Sequence, residues 1–188
     1  MKNFKSIALA LVVVLSTLSA TAQTKKVDAS KSTINWTGKK VTGQHTGTVN
    51  LKDGKLIFKG KKLTGGIFNV DMTSLTSTDL TGEYLAKLNG HLKSEDFFST
   101  EKFPTATLVF KKVIAKATNV YTVTGNLTIK GITNPVTFDL ATTANSASTN
   151  LKVNRTKYDI KYNSASIFST IGDKAISDDF ELAVALKF

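Results

Sequence analysis

The sequence predicts an all-β protein of about eight antiparallel strands with one short helix. From residue 32 to the C-terminus, apolar and polar residues alternate in one segment after another, which is the pattern of strands with one buried face. Only residues 81–93 break this pattern, because their apolar residues have the spacing of an amphipathic helix. No repeat or linker divides the alternating region, so we expect one domain.

The Asp53-Gly54 pair predicts a tight hairpin. Val49 and Leu51 precede it, and Leu56 and Phe58 follow it. An Asp-Gly loop of two residues favours a type I′ turn, in which both residues have positive φ. In that register all four apolar side chains share one face of the sheet.

The other predicted strands each carry their own apolar face. These faces consist of Ile34 and Trp36; Phe68, Val70 and Met72; Leu108 and Phe110; Tyr121, Val123, Leu127 and Ile129; Val136, Phe138 and Leu140; and Phe180, Leu182, Val184 and Leu186. A turn is expected at residues 133–135, between the strands that contain Ile129 and Val136. Strands with one apolar face close into a sandwich or a barrel. An eight-stranded barrel is filled by its side chains or holds one small ligand, and periodicity leaves both open.

The N-terminal residues predict a cleaved secretory signal at residues 1–22. Lys2 and Lys5 precede an apolar run at residues 7–18, and Ala20 and Ala22 form a small-x-small cleavage site. The run is too short to span a bilayer. We therefore expect the mature domain to comprise residues 23–188 and to be periplasmic or secreted. The chain has no cysteine, which excludes disulfides and thiolate sites.

The strongly basic composition favours a lysine-rich surface over a nucleic-acid site. The formal net charge is +11, and about +9 remains once Lys2 and Lys5 are removed. Arg155 is the only arginine, whereas arginine is the residue preferred for bidentate recognition of phosphates and bases. Transient contact with an anionic membrane surface is a secondary expectation. The sequence leaves a homodimer open.

No catalytic or metal-binding constellation is found in the sequence. His45 and His91 have no second ligand at metal-site spacing. Glu95 and Asp96 are adjacent, so an extended backbone would point them to opposite sides. No catalytic serine motif or phosphate-binding loop occurs. We therefore expect a protein that is not an enzyme and that binds no metal.

Two long motifs resemble the YceI family of exported proteins that bind polyisoprenoids. The first, LKSEDFFSTEKFP, occupies residues 92–104, and the second, GNLTIKGITNPV, occupies residues 125–136. Trp36, His45 followed by Gly47, and Gly65-Gly66 also fit that family. The resemblance extends over essentially the whole mature chain.

This resemblance implies a single antiparallel eight-stranded lipocalin-like barrel with one short outer helix and an apolar cavity. The implied ligand is a polyisoprenoid, such as a quinone- or carotenoid-type lipid, and no other cofactor is expected. Phe97, Phe98 and Phe103 would close or line one end of the barrel. The cavity-lining candidates are Trp36, Val49, Phe58, Phe68, Val70, Phe98, Phe110, Val123, Phe138 and Phe180. Polar candidates near the cavity mouth are His45, Asn69 and Arg155.

One position departs from the family pattern. Asp159 stands where an Asn-Arg-x-x-aromatic-Gly element has glycine, which would allow positive φ. Two alternatives to a lipid carrier remain from the sequence. One is a barrel with a filled core that acts as a stress-related partner-binding protein, and the other is a lipid-modifying enzyme.

Overall fold

Nine strands and one α-helix form the part of the chain that the computed structural model describes, residues 22–188 without 169 and 171. The predicted signal at residues 1–22 lies outside the described residues, apart from Ala22. The elements in chain order are β1 Ala22–Lys26, β2 Thr33–Lys40, β3 Gly43–Lys59, β4 Lys62–Ser77, α1 Gly82–Lys93, β5 Thr105–Ala117, β6 Val120–Ile129, β7 Ile132–Thr142, β8 Ser146–Asn154 and β9 Ile176–Lys187.

Strands β2 to β9 form a closed antiparallel barrel, which confirms the predicted eight-stranded barrel. The hydrogen-bonded order is β3-β2-β9-β8-β7-β6-β5-β4, and β4 returns to pair with β3. Strand β1 is the extra strand. It pairs with the second half of β3, from Ala22↔Lys59 to Lys26↔Lys55, whereas β2 pairs with the first half.

Helix α1 lies outside the barrel and agrees with the predicted helix at residues 81–93. It begins after the N-cap residue Thr81, and none of its residues is buried. Asn89 ties it to the end of β4: its Oδ1 accepts a hydrogen bond from the Ser77 N–H at 2.9 Å, and its Nδ2 donates to Thr76 Oγ1 at 2.9 Å. The helix is thus attached to the barrel by polar contacts to β4 and by Leu92, which packs against the core.

The predicted Asp53-Gly54 hairpin is wrong, because β3 runs straight through these residues. A bulge between Leu51 and Asp53 shifts the pairing with β4 by one residue. An extra residue in one strand reverses which side chains face inward. Val49 and Leu51 before the bulge, and Leu56 after it, are therefore all buried. At Gly54 an added Cβ would lie 2.5 Å from Phe68 Cδ1, so glycine here makes room for an aromatic ring rather than a turn.

The turn predicted at residues 133–135 lies slightly earlier in the chain. Lys130 and Gly131 have φ values of 52° and 74°, and they join the paired residues Ile129 and Ile132. Positive φ at both central residues is the geometry of a type I′ hairpin. Pro135 is part of β7.

Candidate ligand cavity

The barrel interior contains a cavity of about 190 Å³. This far exceeds the roughly 10–15 Å³ that a cavity needs to hold one water. Each of strands β2 to β9 contributes apolar side chains to the wall, and the few polar residues on the wall are Thr149, Arg155, Ser177 and Asp179. A cavity of this composition favours apolar ligands over water.

The last turn of α1 and the segment that follows it cover one end of this cavity. Leu92, Phe97 and Phe98 all lie on the wall. The backbone turns back on itself here, since the Phe98 N–H donates to Leu92 O at 3.1 Å and the Ser99 N–H donates to Ser94 O at 2.8 Å. Phe98 also meets Phe180 of β9 edge to face, with ring centroids 6.1 Å apart. The two adjacent phenylalanines therefore close the barrel end, while the charged residues around them face solvent.

Arg155 brings a positive charge to the same end of the cavity. Its side chain lies on the wall and the residue is only 3% exposed. Nε donates to Ser177 O at 2.9 Å, Nη1 to Ile160 O at 2.9 Å and Nη2 to Ile176 O at 3.0 Å. A guanidinium has five N–H bonds, so two are left over from these three contacts. Burial lowers the pKa of Arg155, but arginine stays charged at any physiological pH.

The nearest carboxylate to Arg155 is engaged elsewhere. Asp178 Oδ1 lies 3.9 Å from Arg155 Nη2, which is beyond hydrogen-bonding distance. Asp178 instead accepts hydrogen bonds from the hydroxyls of Ser164, at 2.5 Å, and Ser166. Burial raises the pKa of Asp178, but these hydrogen bonds and the charge of Arg155 outweigh it, and the pKa is lowered.

The structure places most of the sequence candidates on the cavity wall. They are Trp36, Val49, Phe68, Val70, Phe98, Phe110, Phe138, Phe180 and Arg155. Phe58 and Val123 are buried but lie away from this wall. Phe58 is paired with Gln23 of β1 and lies near Phe188, with ring centroids 6.5 Å apart and Lys25 Nζ 5.3 Å from its ring. The extra strand β1 thus lies beside the part of β3 that contains Phe58.

The other two polar candidates lie outside the cavity. His45 Nδ1 is 2.9 Å from Asp79 Oδ2, near the start of α1. Asn69 Nδ2 donates to Asp53 Oδ1 at 2.7 Å on the outer face of the sheet. Both side chains are held by a neighbouring carboxylate, so neither is directed at the cavity mouth.

Sequence reasoning missed several residues of the cavity wall. Leu92 belongs to the motif at residues 92–104, so that motif was the signal that could have found it. Leu108, Leu127 and Leu182 lie on faces that the alternation did predict, whereas Thr149 and Leu151 come from β8, whose alternation is weak. These residues all lie on the wall.

Across residues 22–188 without 169 and 171, no group of three or more His, Cys, Asp or Glu residues is placed to hold a metal ion. In the same residues, no helix has the length and hydropathy needed to cross a membrane.

Two solved structures share this fold. BcnA of Burkholderia cenocepacia has a TM-score of 0.69 at 20% identity, covering 85% of this chain and 98% of that protein. A polyisoprenoid-binding domain from Saccharophagus degradans, implicated in plant cell wall breakdown, has a TM-score of 0.57 at 15% identity, covering 86% and 95%. At these identities the likeness concerns the fold alone.

Sequence relatives match part of the chain. A UPF0312 protein of Shewanella denitrificans is 35% identical over 91 residues, 48% of this chain and 46% of the relative. A UPF0312 protein of Staphylococcus aureus is 40% identical over 90 residues, 41% and 48% respectively. The matched segments thus span about half the length of these relatives. The YceI-like domain matches residues 26–188, nearly all of the described barrel. On this match and its barrel fold, the chain belongs to the YceI-like family.

Proposed function

We propose that this protein is a carrier that sequesters one long polyisoprenoid-type lipid, of the quinone or carotenoid class, inside its barrel. The observation that carries the proposal is the apolar cavity itself, whose wall is built by all eight barrel strands. The Saccharophagus degradans relative in fold, described as a polyisoprenoid-binding domain, supports the same ligand class. In this proposal the protein binds its ligand without chemical change.

The binding energy comes from burial of hydrocarbon. Each CH₂ group removed from water contributes about 0.8 kcal/mol, so an isoprenoid chain has ample apolar surface for tight binding. The binding free energy reaches a ceiling well below the summed contribution of all CH₂ groups in a long chain. Cavity dimensions, rather than the number of CH₂ groups, therefore set which chain lengths fit.

Arg155 is the proposed contact for the ligand's polar end. It is the one strongly polar side chain that is buried on the cavity wall, and two of its N–H bonds remain after its three backbone contacts. A quinone carbonyl or a hydroxyl oxygen would accept from them. This favours isoprenoids that carry an oxygen over pure hydrocarbons.

The cellular setting is also part of the proposal. The predicted signal places the carrier in the periplasm or outside the cell. The basic surface suits transient contact with an anionic membrane, where the ligand would be collected. A homodimer would be compatible with this role and is tested by the mass of the purified protein in solution.

The test is organic extraction of the purified mature protein followed by mass spectrometry of the extract. The expected result is an isoprenoid-type lipid at about one molecule per barrel. An extract without lipid, obtained again after incubation with polyprenyl lipids, would overturn the proposal and favour a barrel that serves another partner.

A further inference from the structure

We infer that the lipid enters and leaves the barrel sideways, through the seam between β7 and β8. This inference rests on the proposed function, because it concerns the route to the same cavity. Strands β7 and β8 pair only at Ala141↔Ser148 and Thr142↔Ala147. The neighbouring seams are continuous: β6 pairs with β7 from Val120↔Ala141 to Ile129↔Ile132, and β8 pairs with β9 along its whole length.

Side chains rather than a backbone ladder hold the open part of this seam. Thr149 Oγ1 donates to Asp139 O at 2.7 Å, and Asn134 Nδ2 donates to Lys157 O at 2.8 Å. Pro135, which has no N–H to donate, lies in this unpaired part of β7, a position that sheets tolerate. Two such hydrogen bonds are far fewer than the backbone bonds of a full ladder, so parting the strands here costs much less than opening a neighbouring seam.

The cavity and an outer groove meet at this seam. The groove runs over the outside of β7, β8 and β9 and includes Asp139, Ser148 and Ala183. Thr149 and Val184 line both the groove and the cavity. Leu151, on the cavity wall beside them, is only half-buried. A hydrocarbon chain lying in the groove is therefore one layer of side chains from the interior.

Both ends of the barrel are closed by tighter packing than the seam between β7 and β8. At one end lie Phe97 and Phe98 in their hydrogen-bonded turn. At the other end Leu56 and Leu63 are fully buried, and the Tyr121 hydroxyl donates to Lys61 O at 3.3 Å. Opening either end would disrupt these packed apolar side chains, whereas parting the unpaired part of the seam breaks the hydrogen bonds of Thr149 and Asn134 and no backbone pairing between β7 and β8.

The absence of cysteine allows a clean test with a disulfide across the seam. The variant D139C/N150C joins the outward-facing residues on either side of it. The control T122C/D139C removes the same aspartate but joins the paired residues of β6 and β7. If the first disulfide does not form, dibromobimane bridges the two thiols instead. Octaprenyl ubiquinone, supplied as a cyclodextrin complex, is the ligand, and quenching of Trp36 fluorescence reports its arrival, since Trp36 is the only tryptophan and lies on the cavity wall.

The locked D139C/N150C protein is expected to load at least about tenfold more slowly than its reduced form, whereas the control loads equally fast in both states. T149V, which removes the hydrogen bond from Thr149 to Asp139 O, should speed both loading and release several-fold. A locked seam that loads at the reduced rate would overturn the inference. Failure of every form, including the unaltered protein, to take up ubiquinone would instead count against the proposed function.

Discussion

The indole ring of Trp36 occupies the space that a side chain at Gly47 would need. The two residues are direct partners across β2 and β3. A Cβ atom at Gly47 would lie 2.5 Å from Trp36 Cζ2 and 2.0 Å from the backbone oxygen of Thr76. The glycine therefore lets the indole lie flat against β3 and reach the end of β4, and it fixes the position of the only tryptophan on the cavity wall.

We expect G47A to lower the free energy of unfolding by at least about 2 kcal/mol, because either the indole or the β4 backbone must move. G38A is the matched control. Gly38 also flanks Trp36 in β2, but its Cβ would be 4.0 Å from Trp36 Cζ3, an ordinary contact. Urea unfolding, monitored by Trp36 fluorescence, measures the stability of both variants. Equal stability of the two variants would contradict the packing described here.

A larger side chain on the cavity wall should exclude lipid without unfolding the barrel. Val70 is half-buried on the wall, so V70F places its ring in the cavity. We expect the lipid recovered per protein to fall several-fold, because the ring takes the volume that the chain would fill. I67F is the control, since Ile67 lies in the same strand and is absent from the wall. Organic extraction of both folded variants measures the lipid bound per protein. Undiminished lipid in V70F would show that the ligand binds elsewhere.

Replacement of Arg155 separates its structural role from its role in recognition. R155K retains the charge but cannot reproduce three bonds to carbonyl oxygens, so we expect a loss of stability of about 2–3 kcal/mol. The effect that is specific to recognition is a change in ligand preference. The unaltered protein should bind octaprenyl ubiquinone at least about tenfold more tightly than a hydrocarbon isoprenoid of equal length, and R155K should lose this difference. Competition binding well below the unfolding midpoint measures it, and an unchanged preference would leave Arg155 a structural residue only.

The Asp79 carboxylate should make stability depend on pH in the acid range. Burial raises the pKa of Asp79, but hydrogen bonds from Ser77 and His45 outweigh it and lower the pKa to about 2. A lowered carboxyl pKa stabilises the fold above the unfolded pKa of about 3.9, and that stability is lost as the pH falls towards 2. Since the side chain is 32% exposed, we expect about 1 kcal/mol at pH 6.

D79N should therefore be less stable than the unaltered protein at pH 6 and equally stable near pH 2, as measured by urea unfolding across this range. D96N is the control, because Asp96 also pairs with a histidine but is 61% exposed. Its effect should stay within about 0.5 kcal/mol. A constant difference for D79N at all pH values would show that the charge is not responsible.

The barrel and much of its inner wall could be predicted from the sequence because strands with one buried face have a strict period of two. Trp36, Phe68 and Phe138 were found in this way, and all lie on the wall. Phe58 was placed there by the same reasoning, but it lies in the part of β3 that pairs with the extra strand β1, whose short sequence shows no alternation, and away from the cavity.

Two further features depend on relationships that no local pattern records. The Asp53-Gly54 pair has the composition of a turn, yet the strand continues through it because Phe68 of the neighbouring strand fills the space above Gly54. Arginine is usually exposed, whereas Arg155 donates to three carbonyl oxygens, two in the distant segment 176–177 and one at Ile160, five residues away. Both outcomes are decided by tertiary contacts.

Asp159 has the positive-φ backbone that glycine would allow at this position. Its φ and ψ are 59° and 29°, and its N–H closes the short turn that begins at Arg155. A left-handed residue other than glycine costs roughly 1 kcal/mol. Its ion pair with Lys161, at 2.6 Å, joins two side chains that are more than half exposed and offsets little of this.

We therefore expect D159G to raise the free energy of unfolding by about 0.5–1 kcal/mol and D159V, whose branched side chain suits this backbone worst, to lower it by at least as much. D159N, which keeps tolerance of this conformation but loses the charge, isolates the ion pair. Urea unfolding of the three variants measures these effects, and a D159G protein less stable than D159N would mean that contacts of the carboxylate, rather than backbone conformation, decide this position.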